Sequence, residues 1–462
     1  MMKKAIEELR SALKEKNIKN AFVDISYKTI CLMPFTIVLL LHILPIFESL
    51  WMPTHLMITE IDHQWYTYFY NYYAYPVVLF AYFVFVLFCV IKISTEGQWK
   101  SLFNKLFKQR AIMCFGLFCL MMIVSTCVNG FSDFALHGEP YRNESLFSYL
   151  VYFVVFFVCG ICSSGYSRKK ILVDVLLLSS IAVGTYSVIN SIFYGSSIFY
   201  KSIKVQTGVF YNSNHYGYYL AMIIALAAAL ATAEKKKGSR IFYLIVFGFN
   251  VVILQFNRTL GAWVACLFAL VFQIIIRYIV DRKKSIYAIV ELCSYLAITG
   301  AVGLYDNYMI MSILSLFIDI KRVTMDPVHA DDAGSARWKL WKITVQKTVK
   351  RPFLGYGVEG LYYEFGKDGS GGRSHCEYLQ YASFFGIPAA VAYVVGCVQV
   401  FISGYRNRSR IDGVTIACLV AAFSYLVSAT FGNTWFYTTP YFFVLLGMGY
   451  TYSKTKTGDG QN

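Results

Sequence analysis

A histidine and a few arginines carry the chemistry that this sequence offers most openly. His375 sits in "GGRSHCEYLQYASFFGIPAA", Gly371 to Ala390, between a glycine-rich loop and an apolar run, with Arg373 before it and Glu377 after it. Ser374 and Glu377 have the S-x-x-E spacing of a capping box, which predicts a helix beginning at His375. In a first helical turn the positive end of the dipole disfavours imidazolium, so the ring stays neutral and able to accept a proton near neutral pH. The same exposed N–H groups favour an anion close by. Gly386 and Pro388 then break the segment, leaving residues 375–385 along the membrane surface. Arg258 occupies the tight turn "QFNRTLG" between two apolar stretches, and a turn that short cannot hold a guanidinium far from a bilayer. Arg337 lies in "GSARWKLWKITVQKTVKRP", Gly334 to Pro352, whose spacing predicts a helix that stops at Pro352. Trp338, Trp341, Val345 and Val349 fall in one arc of that helix, with Lys339, Lys347 and Lys350 opposite. The arc suits either an interfacial helix with tryptophans at headgroup level or a helix packed on its own loop.

Groups so far apart in sequence can act together only if the chain gathers them, and composition says in what solvent. Of the 462 residues 57% are hydrophobic and 15% charged, too apolar for a protein with a water-facing surface. The fold class expected is an all-α polytopic membrane protein. About twelve apolar runs are long enough to cross a hydrocarbon core of about 30 Å as helices. They lie near 28–47, 76–93, 111–129, 146–163, 171–193, 216–233, 240–256, 259–277, 285–304, 384–404, 411–429 and 437–453.

Loop charges then set the orientation. Lys100, Lys105 and Lys108 follow the second span, Lys169 and Lys170 the fourth, Lys235 to Lys237 the sixth, Arg282 to Lys284 the eighth, and Arg406, Arg408 and Arg410 the tenth. Both termini are therefore expected in the cytoplasm. The charged N-terminal stretch is too polar for a cleavable signal peptide. The organisation expected is a cytoplasmic segment 1–27, spans one to nine over 28–304, an extracytoplasmic loop 305–383, spans ten to twelve over 384–453, and a cytoplasmic tail 454–462. The formal charge of +16 is mostly cytoplasmic anchoring and gives no argument for nucleic acid. Only Cys376 falls clearly in an outside loop, so no disulfide framework is expected.

Basic residues on the outside are the ones orientation leaves unexplained. The 305–383 loop carries Lys321, Arg322, Arg337, Lys339, Lys342, Lys347, Lys350, Arg351, Lys367 and Arg373, and the 194–215 loop adds Lys201, Lys204 and His215. A cationic lining at the outer face suits a phosphate-bearing lipid, although long loops also escape the charge rule. Asn212 and Asn214 can position sugar or phosphate, or cap the sixth span. Glu60, Asp62 and His63 could hold a divalent metal but more often such a group is surface polarity, and Asp326, His329, Asp331 and Asp332 read as a solvated turn, so no metal site is expected. There is no P-loop and no dinucleotide fingerprint. A transporter or glycan flippase would put ionisable groups in mid-membrane, where Glu291 is the main one here.

Taken in order, five stretches resemble the O-antigen ligase and Wzy-type polymerase superfamily of bacterial envelope polysaccharide synthesis. They are "GVFYNSNHYGYYLA" from Gly208, "NRTLGA" around Arg258, "ARWKLW" around Arg337, "RPFLGYG" from Arg351 and "SHCEYLQYASFFGIPAA" around His375, together spanning about 205–400. Cys376, Asn257 and Ala389 depart from the family's asparagine, serine and glycine, which bears on subfamily more than on chemistry. The resemblance implies a GT-C-like arrangement of helices around the outer loop. It implies a glycosyltransferase without cofactor that takes glycan from undecaprenyl diphosphate, metal-independently and with inversion, and passes it to an acceptor sugar. Arg258 and Arg337 would neutralise the diphosphate, with Arg373, Arg322 and Lys204 as further cations. His375 would be the general base, with Glu377 as its orienting partner or substitute, and Asn212, Asn214, Tyr356 and Tyr378 would position sugar or phosphate. Partners implied are the lipid-linked donor, the glycan acceptor, membrane lipids, a flippase and a chain-length regulator. The loop is long enough to hold a growing glycan, which favours polymerase over ligase.

Overall fold

The structure, a computed structural model, describes residues 109–138, 144–162, 166–194, 208, 210, 212–326, 328–362, 373–435 and 438–450. The spans expected at 28–47 and 76–93, the acidic group Glu60, Asp62 and His63, and Lys204 lie outside the described residues. Among the described residues 81% are helical and none is in a strand.

The order of helices is α1 Arg110–Asn129, α2 Asp133–His137, α3 Leu146–Cys162, α4 Tyr166–Tyr194, α5 Ser213–Ala233, α6 Lys237–Asn257 and α7 Leu260–Val280. There follow α8 Ser285–Tyr305, α9 Tyr308–Met325, α10 Arg337–Lys350, α11 Glu377–Phe385, α12 Ile387–Arg406, α13 Gly413–Ser428 and α14 Thr439–Gly449. Seven of these, α1, α4, α5, α6, α7, α8 and α12, are long and apolar enough to cross a membrane, while α3, α13 and α14 are shorter apolar helices. Leu120 on α1, Ile245 on α6, Phe268 on α7 and Val290 on α8 are each more than half exposed. Facing water, such side chains would forgo about 25 cal/mol for each Å² of apolar surface, a loss that hydrocarbon removes. The chain is a multi-pass membrane protein.

At the centre stands α5, buried along almost its whole length against α6, α7 and α13. Its run of Ala225 and Ala227 to Ala229 leaves little side chain to hold neighbours off, so backbones approach closely. Towards the far end of α5, Glu291 of α8 accepts hydrogen bonds from Thr232 Oγ1 at 2.8 Å and from Gln273 Nε2 of α7 at 2.6 Å. Arg277 of α7 donates to the Ala229 carbonyl at 2.8 Å. The deep carboxylate anticipated in the sequence is thus part of a clasp joining α5, α7 and α8.

The loops containing Lys235, Lys236 and Arg282 to Lys284 lie at that end of the bundle, where Lys284 Nζ reaches the Ala233 carbonyl. Gly413, at the start of α13 just after Arg406 to Arg410, packs against Ala233 there too. At the opposite end lie the start of α5, the Asn257–Leu260 turn and the described residues 306–326, 328–362 and 373–385. The first of these stretches is more helical than its sequence pattern indicated: α9 fills 308–325. Helix α10 forms within the stretch expected to be helical, starting at Arg337, but it docks through Leu340, Thr344 and Thr348 rather than through the tryptophan arc. Leu361, Ile343 and Tyr356 close over Leu340. Val345 and Val349 stay exposed, and the Trp338 and Trp341 rings meet edge to face at 6.4 Å.

The helix expected to start at His375 begins two residues later, at Glu377. His375 takes a left-handed backbone, φ 51°, which no helical residue can have. Ser374 Oγ turns to its own neighbour instead of capping: it donates to the Cys376 carbonyl at 2.8 Å and accepts from the Cys376 amide. The capping-box argument for a neutral His375 therefore fails.

Candidate functional site

The site is built around the first turn of α5. Asn212 is its N-cap, the side chain accepting from the Asn214 amide at 2.8 Å, so of the two roles open to Asn212 the structure gives it the cap. Asn214 is half-buried at the same helix end. The turn between α6 and α7 is pinned to this helix start by two donors, Asn257 Nδ2 at 2.9 Å and Thr259 Oγ1 at 3.0 Å, both to the Ser213 carbonyl. Gly217 makes the approach possible, since a Cβ there would stand 2.7 Å from both Asn257 Oδ1 and Thr259 Cβ.

Arg258 sits at the top of that turn in a left-handed conformation, φ 62°, and caps α6 through its amide on the Leu254 carbonyl. Its Nη2 donates to Asp306 Oδ2 at 2.7 Å, and its guanidinium lies 4.4 Å over the Tyr308 ring. Asp306 and Tyr308 thus aim the fork. The Nε–H of Arg258 is buried and makes no hydrogen bond. Arg337, half-buried at the start of α10, donates through Nη1 to the Gly334 carbonyl at 3.0 Å, and its Nε is likewise buried without a partner. Arg337 lies near enough to Tyr218 of α5 for its charge to act on the phenol.

Residues 431–435, between α13 and α14, close the corner. Tyr218 donates to the Phe431 carbonyl at 3.0 Å. Phe431 also packs on Gly261, beside the Arg258 turn. Gly432 lies flat on the Tyr218 ring, where a Cβ would come within 2.4 Å. Trp435 meets His215 of α5 edge to face, with ring centroids 4.5 Å apart. The Asn433 amide nitrogen lies 3.4 Å from His375 Nδ1. Arg258, Arg337 and His375 therefore border one corner of the protein, each joined to it through α5 or through 431–435.

Other residues picked out in the sequence stand elsewhere. Arg373 is fully buried, its guanidinium donating to Glu144 Oε2 at 2.6 Å, to Glu359 Oε1 at 2.9 Å through Nε, and to the Thr434 carbonyl at 3.0 Å. Two carboxylates already neutralise it, so it does not face a diphosphate. Glu377 is buried, accepting from Tyr393 at 2.6 Å and Tyr425 at 2.9 Å. Burial pushes its carboxyl up to about 7, the two phenols opposing that rise. Tyr378 spends its hydroxyl on the Leu426 carbonyl and lines an apolar crevice with Phe272, Phe401 and Phe423. Tyr356 donates to the Lys347 carbonyl at 3.2 Å, under the Arg351 guanidinium. Arg322 pairs with Asp319 at 3.3 Å on the exposed side of α9.

Residues 243–394 match the O-antigen ligase family. The match bears out the resemblance read from the motifs and covers the Arg258 turn, Arg337, His375 and Glu377. No curated protein matches the chain. The O-antigen ligase region ends before 431–435, so the corner combines residues of the matched region with residues on both sides of it. Sequence reasoning missed Glu144, Glu359, Asp306 and Asn433. Asp306 had a signal, an acid directly after a span and level with Arg258; the others had none, since Glu144 and Arg373 are 229 residues apart.

Proposed function

We propose that the protein is a membrane glycosyltransferase of the polysaccharide-polymerase kind, acting on lipid-diphosphate-linked oligosaccharide at the outer face of the cytoplasmic membrane. The observation that carries this is the pair of arginines, each with a buried, unbonded Nε–H, at the same corner as His375. Buried donors left bare cost free energy, and a phosphate oxygen is the acceptor that a guanidinium fork fits best. Orientation by the positive-inside rule puts this corner outside, opposite Lys235 to Lys237 and Arg282 to Lys284.

In this reaction the acceptor hydroxyl attacks the anomeric carbon from the side opposite the diphosphate, forming a new C–O bond as the sugar–phosphate bond breaks. The hydroxyl proton passes to His375, and the electron pair leaves on the lipid diphosphate. Arg258 and Arg337 hold the growing negative charge. Asp306 and Tyr308 keep Arg258 aimed and lower the entropy cost of holding it there. Arg373, Glu377 and Tyr378 stand outside the reacting set. The stretch 308–362, with its two long helices, supports a polymerase that cradles a growing glycan in preference to a ligase acting on a different acceptor.

The test is purified protein given a defined undecaprenyl diphosphate oligosaccharide with no added metal. Longer lipid-linked products from the wild type, and none from His375→Ala or Arg258→Ala variants that insert normally, are expected. Full-length polymer from either variant removes that residue from the site. Movement of the intact donor across the bilayer without elongation would make the protein a flippase instead.

A further inference from the structure

We infer that α9 lies along the membrane leaflet beside the Arg258 corner, its outward face among the acyl chains, and that this seat holds Arg258 and Arg337 in position; the second half rests on those arginines being the diphosphate-binding pair. The helix is built the wrong way round for water. Met311, Leu314, Phe317, Ile318, Ile320 and Met325 are each more than half exposed. Ser312, Ser315, Asp319 and Arg322 lie on the less exposed side, and the two serine hydroxyls are spent on carbonyls of the helix itself. With about 3.6 residues per turn, Met311, Leu314, Ile318 and Met325 form one outward stripe. Lys321 interrupts it near the end, where a long apolar stem lets the ammonium reach the headgroups. A contiguous apolar face of this length marks a partner or a lipid surface, and continuity decides which. Leu304 and Tyr305, the last residues of the span α8, are 92% and 86% exposed, and only Asp306 and Asn307 separate them from α9. The lipid-facing side of α8 thus runs directly into the outward face of α9.

Helix α9 runs along the leaflet and does not cross back. Ile310 packs on Gly303 at the turn, and of the 18 residues only Met309 is buried. The far end is tied to the corner's side of the protein, where Asp319 Oδ2 accepts from the Gly334 amide at 3.1 Å. Asp319, Lys321 and Arg322 in the last two turns also bar that end from the middle of the hydrocarbon. Each end of α9 serves one arginine. At the first, Asp306 and Tyr308 hold the Arg258 guanidinium. At the second, the Gly334 carbonyl accepts from Arg337 Nη1 at 3.0 Å, on the residue whose amide Asp319 holds. Helix α9 is therefore a strut between the two guanidinium groups, and lifting it out of the lipid moves both. Asp306, Tyr308 and Asp319 are positioning residues.

The test uses the full chain in lipid nanodiscs, with a small fluorescent amino acid incorporated at position 317. The same probe at position 290 of α8 gives the lipid reference, and at position 236, in the loop between α5 and α6, the water reference. Phospholipids brominated along their chains should quench the probe at 317 about as strongly as at 290, and aqueous iodide should quench only the probe at 236. Ile318→Glu, which alters only the outward face, should insert and melt like the wild type. Its elongation of a defined undecaprenyl diphosphate oligosaccharide should fall about 10- to 100-fold, the loss that a shift of about 1 Å in a catalytic group brings. Ile318→Val should elongate normally. Iodide quenching at 317 to match 236 overturns the inference, and so does quenching by neither agent, which would mean that another protein surface covers the face. Full elongation by Ile318→Glu overturns the link from lipid seat to arginines. An Arg258→Ala protein that still elongates would sink the reading of the site instead, and the quenching result would stand.

Discussion

Removing the Arg373 guanidinium should unfold this end of the protein before it affects any chemistry. Arg373, Glu144 and Glu359 have no exposed side-chain surface, and Arg373 makes charge-assisted hydrogen bonds to both carboxylates and a further one to the Thr434 carbonyl. Each such bond contributes about 1.5–3 kcal/mol. Deleting one member of a buried ion network costs about 3–5 kcal/mol, because the remaining charges stay in low dielectric without compensation. Arg373→Ala leaves two buried carboxylates facing a void, so its cost belongs at or above the upper end of that range. With about 2–4 °C lost for each kcal/mol, the melting midpoint in detergent should fall by on the order of 10 °C. A triple variant, Arg373→Met with Glu144→Gln and Glu359→Gln, should recover much of the loss, since no uncompensated charge is left. The assay is a thermal unfolding series on the purified proteins, run beside glycan ladders from cells. An Arg373→Ala protein that melts with the wild type yet makes no polymer would refute the reasoning and return Arg373 to the substrate.

The Glu377 carboxyl, raised by burial from 4.5 to about 7, gives a pH signature of definite sign. The folded state holds the proton more tightly than the unfolded chain, so this stabilisation is complete below pH 4.5 and is lost as pH rises through about 7. Between those limits about 3 kcal/mol is at stake; Glu377→Gln should flatten that part of the stability–pH curve, and an unchanged curve would show that another group titrates. Gly217→Ala drives a methyl into Asn257 and Thr259, so it should insert normally but lose most elongation by displacing Arg258; unaltered polymer length would show that the turn tolerates the shift. Glu291→Leu leaves the buried Thr232 and Gln273 donors without their shared acceptor and should cost about 1–3 kcal/mol for each in a detergent melt, with Glu291→Gln milder because its amide oxygen still accepts.

The membrane class and seven of the expected spans were legible because hydrophobic run length is set by the bilayer, a constraint local in sequence, whereas the runs at 146–163, 411–429 and 437–453 fold as the shorter apolar helices α3, α13 and α14. The Arg258 turn and the end of α10 before Pro352 were legible for the same reason, being boundaries between periodic segments. What failed was long-range or stereochemical. Ser374 and Glu377 fit a local rule, but Glu377 is drawn inward by Tyr393 and Tyr425, residues that no short window contains. Arg373 looked like one more outer-loop cation, and its two carboxylates come from remote parts of the chain. Asn433 went unnoticed because its meaning depends on a histidine 58 positions earlier.

Residues 431–435 complete the corner by touching α5, the Arg258 turn, His375 and the Glu144–Arg373 pair, yet they lie near the far end of the chain. A ribosome will have threaded the arginines and the histidine into the membrane well before this closing piece emerges. Until it does, the corner lacks the piece that meets His375 through Asn433 and the Glu144–Arg373 pair through Thr434.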